Sequence, residues 1–148
     1  MTATAPVIRY WQLYTDSEGI SRLRQCAMTE FELKSIQAPA APQWQGARTR
    51  GDMTVMVTVL PVGWLGTWHE NPKPQWIVPL SGRWFVESMD GMRIEMGAGE
   101  FSFGGDQNCR VIGEKRGHLS GTAGDVPAVL MIIQFNDAVR PASAYAVG

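Results

Sequence analysis

Glycine and proline punctuate this chain so often that no long helix has room to form. Sixteen glycines and nine prolines are spread over 148 residues and cut the sequence into pieces of strand length. Glycine weakens regular structure through its backbone entropy, and proline removes a hydrogen-bond donor. Between the breaks lie runs rich in Val, Ile, Thr and aromatic residues, which suit a pleated, half-buried surface. The expectation is an all-β domain. Strands are predicted at VIRYWQLY (7–14), EFELKSI (30–36), MTVMVTVL (53–60), QWIVPL (75–80), RWFVES (83–88), MRIEM (92–96), EFSF (100–103), HLSGT (118–122) and AVLMIIQF (128–135).

The pattern within each run predicts its place. MRIEM and EFSF alternate strictly, so one face of each meets a core and the other meets water. MTVMVTVL and AVLMIIQF are apolar on both faces and are expected to lie centrally, covered on both sides. Asp90-Gly91 predicts a two-residue type I′ hairpin, with positive φ at both central residues. Only SRLRQCAM (21–28) has a helical pattern, with Ile20, Leu23 and Ala27 on one side, and it predicts a short helix. Residues 38–42, Ala-Pro-Ala-Ala-Pro, read as an extended linker into the main sheet. No internal repeat is present, and a single domain over 1–148 is expected.

Composition excludes several partners. Thirteen Lys and Arg balance fourteen Asp and Glu, and no basic run occurs, so nucleic acid is not expected to bind. Cys26 and Cys109 form no C-x-x-C pair and predict two buried thiols in a reducing compartment. The N-terminus lacks a basic, apolar leader, and AVLMII (128–133) is too short to span a bilayer. No membrane partner and a cytoplasmic location are therefore expected. There is no nucleophile elbow, no Ser-His-Asp arrangement and no P-loop.

The chain has two histidines, and the first sits among three tryptophans in GWLGTWHENPKPQWIVPLSG (63–82). By residue type alone His69 is a core residue, a pocket residue or a metal ligand. Its spacing says more. Gly63, five residues, His69, one residue, Asn71, three residues, Gln75, six residues, Gly82 resembles the first motif of the cupin superfamily. Asn71 stands where that motif has a second histidine, and Gln75 stands at its glutamate. Gly97-Ala98-Gly99-Glu100-Phe101-Ser102-Phe103 resembles the start of the second motif. The family's usual spacing puts the last histidine of that motif at Arg110; a loop insertion puts it at His118. The pairs Gly105-Asp106 and Gly117-His118 are similar to those of small bacterial cupins whose third histidine follows a Gly-rich loop.

The resemblance implies a cupin-type double-stranded β-helix, a jelly-roll barrel with its core at about 53–135 and a short N-terminal extension. It implies a divalent metal (Fe, Zn, Ni or Mn) held by His69, Gln75 and His118, with His69 and His118 as catalytic residues, and a homodimer. The expected function is an enzyme acting on a small carbonyl or carboxylate compound at that metal, as an oxygenase, lyase or isomerase. The alternative, favoured by Asn71 and Gln75, is a metal-free module that binds or senses a small molecule. Glu70, Glu87, Asp106 and Glu114 are further acid–base candidates with no geometry readable from sequence. Trp76 alternates with Gln75 and is expected to point away from it, toward a subunit contact. Gly66-Thr67-Trp68 also matches the G-x-W of lipocalins but lies too far along the chain for their first strand.

Overall fold

The structure is a computed structural model and describes residues 4–137 and 145–146. No helix occurs among the described residues, and so none is long and apolar enough to cross a membrane. The strands are β1 (Ile8–Thr15), β2 (Ser21–Met28), β3 (Phe31–Lys34), β4 (Gln43–Gly46), β5 (Met53–Leu60), β6 (Gln75–Ser81), β7 (Arg83–Ser88), β8 (Arg93–Gly97), β9 (Ser102–Gly105), β10 (His118–Ala123), β11 (Ala128–Phe135) and β12 (Tyr145–Ala146). A seven-stranded sheet has the order β12-β2-β1-β9-β6-β11-β5, a three-stranded sheet the order β10-β7-β8, and β3 and β4 form a separate ribbon. None of them closes into a barrel. Among the described residues only β1 and β9 pair in parallel.

The main core lies between the two larger sheets. Leu13, Leu23, Leu60, Ile77, Ala128 and Leu130 come from one side, and Trp84, Val86 and Met96 from the other. Because side chains alternate along a strand, the same strands carry a second set on the opposite face. There Tyr10, Cys26, Phe103 and Phe135 form a buried cluster with Trp76 packed against it. Trp76 thus points away from Gln75, into rings of its own chain, with centroids 5.1 Å from Tyr10 and 4.9 Å from Phe103. Cys26 and Cys109 are buried free thiols.

Several expectations are corrected. SRLRQCAM is strand β2, paired with β1 in the register Leu13↔Leu23 and Tyr10↔Cys26. Ser21, Leu23 and Ala27 face the core while Cys26 joins the other cluster, so pairing with β1 buries both faces and overrides the weak helical spacing. Residues 8–28 are therefore two strands of the main sheet rather than an N-terminal extension. Residues 38–42 lie in the connection between β3 and β4, which pair with each other. The β7–β8 turn has positive φ at Gly91 (89°) and not at Asp90, so it is no type I′ hairpin. Ser88 N–H donates to the Met92 carbonyl across it, with Asp90 accepting from the Ser88 hydroxyl. β11 lies inside the sheet, but β5 is its edge strand and largely exposed.

Candidate functional site

The segment between β5 and β6 runs antiparallel beside β10, with bridges at Leu65↔Gly121 and His69↔His118. His69 N–H donates to the His118 carbonyl at 3.0 Å and His118 N–H to the His69 carbonyl at 2.9 Å. Directly opposed residues of an antiparallel pair project from the same side. Two histidines 49 positions apart in sequence thereby have ring centroids 4.6 Å apart. Gly117 makes the approach possible: its φ is +74°, and a Cβ there would lie 2.2 Å from the His69 carbonyl oxygen.

The two rings differ in environment. His69 is exposed, and its Nδ1 lies 2.7 Å from the Thr67 carbonyl oxygen. His118 is buried, and its Nδ1 lies 2.7 Å from Asp106 Oδ2. An oxygen of either kind accepts, so each Nδ1 is the donor and each Nε2 carries the lone pair of the neutral ring. Asp106 is fully buried on the loop after β9. Its Oδ1 accepts from the Asn71 backbone N–H at 2.9 Å and from Asn71 Nδ2 at 2.8 Å. Asn71 Oδ1 accepts from Gln75 Nε2 at 2.6 Å, and Gln75 Oε1 accepts from Gln134 Nε2 at 3.2 Å. Gly104, opposite Gln75 on β9, leaves room for the Asn71 amide, which a Cβ would meet at 2.4 Å.

Burial pushes the Asp106 carboxyl up, but the hydrogen bond and charge of His118 and the two Asn71 donors outweigh it, and the group sits below the usual carboxylate value. Glu70 holds the loop above the site, accepting from Cys109 N–H at 2.9 Å and from Arg116 Nε at 3.0 Å. Beneath His118 a narrow cavity is lined by Asn71, Ser102, Trp84, Leu13 and Ile77, with a free volume of about 10 Å³, close to the room one water needs. Trp84 is buried, and its indole N–H has no hydrogen-bond partner. Leaving such a donor unmatched costs about 1–3 kcal/mol.

The sequence-predicted residues divide clearly. His69 and His118 come together, with His69 at the rim instead of inside a barrel. Gln75 points inward but is tied to Asn71 and Gln134, which occupy both ends of its amide. Arg110 is exposed, its backbone N–H bound to the Gly19 carbonyl at 2.8 Å, and takes no part in the network. Glu87 pairs with Arg93 at 3.4 Å, and Glu114 is exposed. His118 has the carboxylate-oriented geometry of a metal-ligating imidazole. For Gln75 to join His69 and His118 on one ion, its amide oxygen would have to offer the lone pair that the bond from Gln134 leaves free. Among the described residues no group of three or more His, Cys, Asp or Glu converges as a ligand set.

Sequence reasoning held Asp106 as a candidate without a partner, set Asn71 aside and missed Trp84. The glycine pairs Gly105-Asp106 and Gly117-His118, at the two ends of one loop, were the available signal for the dyad. No model of a known protein family matches the chain, and no curated protein matches it.

Proposed function

We propose that this domain is a cupin-type jelly roll that binds a small carbonyl or carboxylate compound and exchanges protons with it at paired imidazoles, without a resident metal. The fold part rests on nested pairing. One sheet contains the order β5-β11-β6-β9, and the segment around 65–69 extends the other to give that segment, then β10, β7 and β8. This is the interleaved order of an eight-stranded jelly roll, to which β1, β2 and β12 add one side of the larger sheet.

The observation that carries the chemistry is the buried Asp106–His118 pair with the His69 ring beside it. Asp106 fixes the tautomer of His118, leaving Nε2 to take a proton from a ligand, and its charge stabilises the imidazolium that results. Asn71 and Gln75, at motif positions where metal ligands would stand, instead serve as struts that hold Asp106.

The test is ¹⁵N NMR of the histidine rings during titration with pyruvate and propionate. Saturable shifts at His69 and His118 are expected. Parallel calorimetric titration with Fe(II), Zn(II), Ni(II) and Mn(II) separates the rival. One saturable equivalent of metal, lost in His69→Ala and tightened in Gln75→Glu, would overturn this reading in favour of a metal-dependent enzyme.

A further inference from the structure

The face of the large sheet turned away from the main core carries a cleft. Facing residues of paired strands project from the same side. Arg24, Gln12 and Phe103 therefore form one row across β2, β1 and β9, on the side of Tyr10 and Cys26. The next row holds Tyr14 of β1 and Gly105 of β9. Gly105 has no side chain to fill its place, and between Tyr14 and Pro74 the row opens into a cleft of about 590 Å³. Small-molecule sites have this size. The charges around it are unevenly spent. Asp16, at one end, is held by Arg22 at 2.6 Å and accepts from the Glu18 and Ile20 N–H groups, each at 2.9 Å. Arg24 has no carboxylate partner among the described residues. It is nonetheless fixed in place: its Nε donates to Gln12 Oε1 at 2.8 Å, and its Cζ lies 4.2 Å from the Tyr14 ring centroid.

We propose that this cleft is a second ligand site, separate from the histidine pair, and that it takes a small aromatic carboxylate. The terminal amino groups of Arg24 remain as donors, and so does the amino end of the Gln12 amide, whose oxygen is engaged by Arg24 and by the Cys26 thiol at 3.5 Å. An oriented, unpaired guanidinium matches the two oxygens of a carboxylate. Arg24 is exposed, and water weakens an ion pair there, so charge alone holds a ligand poorly. Phe103 and Pro74 supply the missing part, an apolar wall in the same cleft on which a ring can pack. The two sites share a loop. Gly105 and Gln107 line the cleft on either side of Asp106, and Gln107 Nε2 donates to the Asn71 carbonyl at 3.1 Å. A shift at the histidine rings alone would therefore not locate the ligand.

Calorimetric titration of the full chain with benzoate tests this, with benzamide as the uncharged analogue and Arg24→Gln, Arg24→Lys and His69→Ala as variants. The wild type is expected to bind benzoate saturably, and His69→Ala to keep that binding. R24Q is expected to weaken it about tenfold or more, and R24K by less, since lysine keeps the charge and loses the fork. Benzamide is expected to bind about tenfold more weakly than benzoate. Should R24Q fail to fold, the ¹⁵N shifts of the Gln12 side-chain amide and the Gly105 backbone amide in the wild type still place the ligand, and both are expected to move with saturation. A wild type without saturable binding, binding that R24Q leaves intact, or binding that His69→Ala abolishes would overturn the proposal. So would benzamide bound as tightly as benzoate, or saturation with no movement at Gln12 and Gly105.

Discussion

At Asp106 three donors converge on one buried carboxylate, and that geometry sets what a substitution does. Asp106→Asn turns an amide donor toward at least one of them, and a loss of about 2–3 kcal/mol is expected from the midpoint of urea unfolding. The pH dependence has a definite sign. The folded carboxyl sits below its ordinary value, so the unfolded chain takes up its proton first as pH falls. The contribution of Asp106 is complete above the ordinary aspartate range, near about 3.9, and disappears as pH drops through the lower folded value. The D106N variant should lack that segment of the acid-unfolding curve. Trp84 gives the opposite kind of outcome. Since its N–H has no protein partner, Trp84→Phe forfeits packing but no hydrogen bond, and about 1 kcal/mol of stability is expected to go. Residue types made His69 and His118 legible in the sequence, but the partner of His118 was not, because a loop contact between positions 106 and 118 leaves no periodic trace.

Among the elements, long runs with clear patterns were readable: β5, β7 and β11 fall where the sequence predicts them to the residue. β2 was misread because eight residues can satisfy a helical and a strand period together, and only the neighbouring β1 decides between them. β5 was misplaced for a different reason. Two-sided apolarity says that a strand wants cover on both faces and cannot say which chain provides it. Turn chemistry was half right, since Gly91 carries the positive φ and Asp90 works through its side chain. Gly91→Ala isolates that point. A Cβ there meets nothing within 4 Å, so the expected cost, about 1 kcal/mol by thermal unfolding, is backbone strain alone, and the imidazole spectra of the site should not change.

On the scale of the whole molecule, the span that resembles a cupin is not self-sufficient. β1 and β2 contribute Leu13 and Leu23 to the main core, and β1 pairs in parallel with β9 from Trp11↔Ser102 to Tyr14↔Gly105. A fragment of residues 53–135 would expose β9 and lose one wall of the core, so it is expected to show no cooperative unfolding transition and poor amide dispersion, whereas the full chain is expected to unfold cooperatively with well-dispersed amides. The polar network has a reach of its own. Gln134 donates to Gln75, Gln75 to Asn71 and Asn71 to Asp106, so three amide dipoles point the same way, from β11 toward the carboxylate. Reversing one of them would set like against like at both of its ends, so the series holds a single orientation. Charge at the dyad therefore polarises an amide on another strand, and Gln134 becomes a remote gauge: its side-chain ¹⁵N shift should follow the protonation of the Asp106–His118 pair in wild type and lie flat in Gln75→Leu.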